Sequence, residues 1–258
     1  LVYSICVRKL MIKIFLLLLP AAVIYAQSPH DDNESSSSPV SYGIYGDFNS
    51  RYVWRGFAFS KANVFQPSLS VTIYNVNLNL WGNFDSQPER SDLYFNEYDI
   101  NVSYPVSIWK FDVEPSFQYY IYPHSEELHS TIEIGLKVSY PVNDFSIYNS
   151  DYFDVKNYPG SYYGELGLGY EKQIKNDFSV GFASGFGWST AKFNDGYAGV
   201  NNAALNAFFL NLFCNYKPVE HFSFKPRVEF STILDKQVRE ASGNNYIINF
   251  GISLSVEF

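Results

Sequence analysis

The chain has 258 residues, 47% hydrophobic and 19% aromatic, with a formal net charge of −8 at pH 7. That length allows one large domain or a small pair, and the acid excess leaves no basic footprint for nucleic acid. Its 22 Tyr and 23 Phe are more than a soluble core calls for and suit two belts of amphipathic rings at lipid headgroups.

The N-terminal stretch reads as an export signal. Met11 is the only Met, so residues 1–10 read as an over-extended start. Lys13 supplies the positive flank, Ile14 to Ala26 form an apolar run broken only by Pro20, and Ala26 precedes the polar Gln27. Such a run is too short to span a bilayer as a helix and fits a signal-peptide core, with cleavage expected after Ala26. Cys6 precedes that point and Cys214 stands alone after it, so neither a lipoprotein anchor nor an intrachain disulfide is expected. Residues 27–40, QSPHDDNESSSSPV, are polar and serine-rich and predict a disordered periplasmic tail.

Over 41–258 the hydrophobic pattern has period two. Phe111, Val113, Pro115, Phe117, Tyr119 and Ile121 alternate with Asp112, Glu114, Ser116, Gln118 and Tyr120, in a run that opens at Trp109 and Lys110. Phe178, Val180, Phe182, Phe186 and Trp188 alternate with Ser179, Gly181, Ala183, Gly185 and Gly187. Repeated segments of this kind, separated by turn residues, mark an all-β fold, an antiparallel transmembrane β-barrel. About twelve strands are predicted, at 41–57, 64–74, 76–84, 93–104, 108–122, 130–140, 144–151, 161–171, 177–189, 203–216, 220–232 and 245–258. Connections after even strands are short (Tyr74-Asn75, Tyr104-Pro105-Val106, Tyr140-Pro141-Val142, Tyr216-Lys217-Pro218), and those after odd strands are longer, as at 85–92, 152–160 and 190–202. Short turns belong on the periplasmic side, which places both termini there. Tyr104, Tyr140, Tyr170 and Tyr216 end strands on the lipid-facing parity and predict a periplasmic aromatic girdle, while Tyr74 is off parity. A soluble sandwich is the all-β alternative, and the recurrent Tyr at one end of the hairpins argues against it.

Two resemblances add to this. The last segment, YIINFGISLSVEF, is apolar at every second position up to Phe258 and resembles the C-terminal insertion signal of bacterial outer-membrane barrels. It implies residence in outer-membrane lipid and recognition by the barrel-assembly machinery. Near the start, Ser50-Arg51-Tyr52-Val53-Trp54-Arg55-Gly56-Phe57, Ser60, Gln66-Pro67-Ser68-Leu69, Leu80-Trp81-Gly82 and Glu97-Tyr98-Asp99 are similar to the TorF-like family of conserved hypothetical outer-membrane proteins, over roughly residues 45–104. The loop after Ser60 departs from that pattern, where a small-residue stretch is expected before the Gln-Pro. The resemblance implies fold and location rather than activity.

Parity also sorts the polar groups. Arg or Lys facing lipid at mid-strand costs about 2–4 kcal/mol. Arg51, Arg55, Gln66, Glu97, Asp99, Glu114, Arg227 and Glu229 are therefore assigned to the lumen as selectivity candidates, with Asp47, Asn49, Lys110, Asp112, Gln118, Glu133, Lys137, Glu165 and Lys225 beside them. Tyr52 and Trp54 fall on the lipid parity of the first strand. A porin-like channel for small polar solutes is the leading reading. The second is a non-conducting structural or adhesion barrel, closed by the same charges and acting through its outer loops. Small inward residues such as Gly181, Gly185, Gly187 and Gly251 leave either an off-centre passage or space that long side chains fill. A lipid hydrolase is the third, but adjacent His129 and Ser130 would point to opposite faces of a strand and form no ready dyad. No metal-ligand spacing or phosphate-cradling loop occurs in the sequence, so no cofactor is expected.

Overall fold

The computed structural model describes residues 40–86, 94–123, 125 and 128–258. The export signal, its cleavage point and the 27–39 part of the tail lie outside the described residues, as do His124 and most of the loop at 85–92.

In chain order the elements are β1 (Val40–Asn49), β2 (Tyr52–Trp54), β3 (Phe57–Ser60), β4 (Val64–Ile73), β5 (Val76–Asp85), β6 (Tyr94–Ser103), β7 (Val106–Ile108), β8 (Phe111–Ile121), β9 (Thr131–Val142), β10 (Phe145–Asp154), β11 (Tyr162–Lys175), β12 (Phe178–Ser189), α1 (Ala191–Ala198), β13 (Ala204–Val219), β14 (Phe222–Ile233), α2 (Lys236–Ser242) and β15 (Ile247–Glu257). Each wall strand pairs antiparallel with the next along the chain. β1 pairs with both β4 and β15, and β6 pairs with β8, so the sheet closes on itself. The wall has twelve staves, with β7 a short continuation of the β6 stave along β8. Closure satisfies every stave on both sides, which a sheet surrounded by hydrocarbon requires.

The two faces of the wall follow the period-two pattern. Outward side chains such as Tyr42, Ile44, Leu69, Leu80, Leu212, Ile252 and Phe250 are between 41% and 61% exposed. Inward Asn49, Gln66, Asn83, Glu97, Glu133 and Asn249 are buried. Apolar groups outside and polar groups inside reverse a soluble core and match a membrane barrel.

One end of the barrel carries tight turns. Tyr74, Trp109 and Asn143 have φ of 52°, 58° and 54°, the left-handed backbone that two-residue hairpin turns demand. Tyr74 is off parity because it is a turn residue. The second of these hairpins reverses at Trp109-Lys110 rather than at Tyr104 to Val106, so Lys110 sits in the turn and not in the lumen. Pro105, which has no N–H to give the ladder, only interrupts the β6 stave.

The first stave also differs from expectation. It ends at Asn49, and Tyr52 to Ser60 form a separate hairpin, β2–β3, reversed at Arg55-Gly56 with φ of 50° and 87°. Tyr52 and Trp54 therefore leave the lipid face altogether. The small residues of β12 receive rings rather than long charges. A Cβ on Gly185 would meet the Phe209 ring, and one on Gly187 would meet the Tyr163 hydroxyl. At the loop end α1 and α2 add two short helices. Asp235 caps α2 by accepting a hydrogen bond from the Val238 backbone N–H at 3.0 Å.

Candidate functional site

The hairpin β2–β3 leaves the wall between β1 and β4 and reaches across the barrel. With β1 as the first stave, β9 and β10 are the sixth and seventh of twelve, which is the opposite wall. Arg55 at the hairpin tip meets Glu133 of β9 there, Nη1 donating to Oε1 and Nη2 to Oε2, both at 2.7 Å. The two side chains are 7% and 2% exposed. The guanidinium also lies over the rings of Trp54, Tyr152 and Tyr163, at 4.2, 4.6 and 4.7 Å. A parallel fork of charged hydrogen bonds and flanking ring faces is the arrangement in which a buried Arg is best compensated. The Tyr120 hydroxyl donates to Glu133 Oε2 at 3.0 Å and helps hold that carboxylate.

Around this ion pair the loop end has an apolar core of its own. Phe57, Tyr163, Phe193, Ile233 and Val238 are buried together, with Trp54, Phe59 and Tyr197 packed against them. Tyr163 and Phe193 rings lie 5.2 Å apart, and Trp54 meets Tyr197 edge-on at 5.1 Å. The residues that look lipid-facing in sequence are thus used to seat the hairpin among α1, α2, β11 and β14.

Below the hairpin a band of side chains crosses several staves. Arg227 Nη2 donates to Asn49 Oδ1 at 2.8 Å, Asn49 Nδ2 to Gln66 Oε1 at 2.8 Å, Gln66 Nε2 to Asn83 Oδ1 at 2.9 Å, and Asn83 Nδ2 to Asn96 Oδ1 at 2.7 Å. Arg227 Nη1 pairs with Asp47 Oδ1 at 2.8 Å and also hydrogen-bonds Ser253. The band runs from β14 to β6 and ties Gln66 and Arg227 into the wall.

Two cavities lie in series along the lumen. One of about 340 Å³ sits against the hairpin, bounded by Arg51, Trp54, Trp81, Asp99, Tyr120 and Glu229. The other, about 500 Å³, lies toward the turn end among Asp47, Ser70, Asn77, Lys217, Lys225 and Glu257. Asn79 lines both. Glu97, in register with Asn83, is buried, with the Tyr52 and Tyr122 hydroxyls within reach of its carboxylate. Glu114 lies further round, on a cross-strand ladder through Lys137 and Ser150 to Glu165. Of the sequence candidates, Arg51, Gln66, Asp99, Arg227 and Glu229 therefore share one cavity, Glu97 adjoins it, Arg55 caps it and Glu114 stands apart.

Sequence reasoning put Tyr120 on the inward parity without singling it out, and missed the inward ring of Trp81 and the pairing of Glu133 with Arg55. Strand parity alone puts Trp81 beside Asn79 and Asn83, and that signal was available. At the turn end Tyr104 and Tyr216 are exposed, Tyr140 packs on Phe111 and Tyr170 on Phe145, with centroids 5.4 and 4.7 Å apart. The His129 N–H donates to the Tyr158 hydroxyl at 3.4 Å, and Ser130 Oγ accepts from the Tyr122 N–H at 3.3 Å. Among the described residues no hydrogen bond joins His129 to Ser130.

No family model matches the chain, and no curated protein matches it. Solved outer-membrane barrels share its fold. The KdgM porin aligns with a TM-score of 0.52 at 13% identity, covering 84% of this chain and 99% of that one. KdgM porin in complex with disordered oligogalacturonate aligns with a TM-score of 0.51 at 12% identity, covering 84% and 99%. An outer membrane channel from Pseudomonas putida F1 aligns with a TM-score of 0.50 at 10% identity, covering 90% and 100%. The likeness is one of architecture: this chain has the closed antiparallel barrel of outer-membrane porins.

Proposed function

We propose that the chain is a porin-like channel for small polar solutes in the outer membrane, narrowed at its loop end by the β2–β3 hairpin. The observation that carries this reading is a closed barrel whose polar lumen holds two cavities in series. Turns and both termini face the periplasm in this reading, following the barrel rule, and Tyr104, Tyr140, Tyr170 and Tyr216 form the girdle at that interface. The segment ending in Phe258 serves as the insertion signal read by the assembly machinery. The stretch that resembles the TorF-like family supplies Arg55, Gln66, Trp81, Glu97 and Asp99, which gather at the hairpin and the cavity below it. A sugar-acid ligand in a porin of like fold supports polar solutes as a class.

Liposome swelling tests the proposal. Proteoliposomes should swell in small sugars faster than empty ones, and faster again when Glu133→Gln releases the hairpin. The buried core across the mouth favours one second reading, a non-conducting barrel that acts through its loops. Equal swelling of empty, wild-type and Glu133→Gln liposomes, with the protein shown to be inserted, would select it.

A further inference from the structure

The charges of the lumen do not cancel. Among the described residues three ion pairs form, and one of them, Lys236 with Glu240, lies on the loop-end helix α2. The other two neutralise Arg55 with Glu133 and Arg227 with Asp47, so those two arginines bring no free positive charge. Glu97, Asp99, Glu114, Asp154, Glu165 and Glu229 all lie on the inner face, by their register with Asn83, Trp81, Lys137, Glu133, Gly187 and Asn249. None of them is in an ion pair. The inward cations left over at this depth are Arg51, Lys137 and Lys225. Two of these rest on rings, Lys137 Nζ 5.3 Å from the Tyr148 centroid and Lys225 Nζ 4.0 Å from that of Phe213. At the turn-end rim Lys217 shares the cavity with Glu220 and Glu257, so the excess is not made up there.

We infer that the lumen admits cationic and neutral solutes and excludes anions, with Asp99 and Glu229 at the upper cavity setting the sign. A narrow passage whose wall carries an excess of one sign of charge concentrates the opposite ion. A small amine or aminated sugar has the right sign, and a polyanionic sugar acid the wrong one. This inference rests on the channel reading for transport, but the field itself is measurable without transport.

Trp54 and Trp81 line the cavity, whereas Trp109 is 81% exposed on a turn and Trp188 faces outward. In the folded protein carrying Trp109→Phe and Trp188→Phe, caesium should quench the remaining fluorescence more strongly than iodide. Asp99→Asn with Glu229→Gln should remove that difference. In a bilayer under a potassium chloride gradient, the wild type should prefer potassium to chloride by about tenfold, and the double variant should approach no preference. Iodide quenching equal to or stronger than caesium, or chloride preference in an active channel, would overturn the inference. Caesium-selective quenching by a protein silent in the bilayer would sink the channel reading and leave the acidic lumen standing.

Discussion

At the scale of single residues the Arg55–Glu133 pair is where the most depends on one contact. Its two hydrogen bonds, its burial and three flanking rings leave neither charge a water substitute, so removing one partner strands the other. Breaking a buried pair of this kind costs about 3–5 kcal/mol. Glu133→Gln is expected to lower the urea midpoint of the detergent-folded protein accordingly, or to let the hairpin swing free with a smaller loss, which limited proteolysis at the hairpin would show. An unchanged midpoint with a protected hairpin would contradict the role assigned to the pair. Gly187 is a second sensitive point, because a side chain there meets the Tyr163 hydroxyl. Gly187→Ala should destabilise by about 1–3 kcal/mol, read from the same unfolding curve. Both residues were legible as inward from parity. What parity could not supply was the partner, since pairing across a barrel joins residues 78 apart in sequence and depends on how far a loop folds in.

At the scale of elements, the staves were legible and the hairpin was not. Eleven of the predicted segments fall on wall strands with ends moved by a few residues, because each alternates cleanly and is bounded by turn residues. The first segment ran on to residue 57 because Tyr52 and Trp54 continue the apolar parity of Tyr42, Ile44 and Phe48. The turn signals Asn49-Ser50 and Arg55-Gly56 both lie inside that run. The short helices α1 and α2 carry no periodicity long enough to stand out from a loop. Replacing Tyr52 to Ser60 with a short turn should leave a folded barrel that keeps its heat-modifiable mobility on a gel, and should raise solute flux. Loss of the barrel on that change would mean the hairpin is a folding element rather than a constriction. The lipid face makes the opposite prediction. Leu212 is 51% exposed on the outside of β13, so Leu212→Arg should cost about 2–4 kcal/mol and reduce insertion, while its inward neighbour Asn211 should tolerate Gln.

At the scale of the whole molecule, closure follows from the balance of faces. Twelve staves with apolar outer and polar inner faces satisfy their backbone only by joining β1 to β15. That wheel encloses a lumen which the hairpin, its ion pair and the apolar core cross at one end, leaving cavities of about 340 and 500 Å³ below. The central claim is that this lumen conducts and that the hairpin limits it. Single-channel recording of wild type and Glu133→Gln side by side tests it most directly. Small, discrete steps from the wild type and larger or longer ones from the variant are the expected result. Silence from both, with each shown to be folded and inserted, would contradict the account.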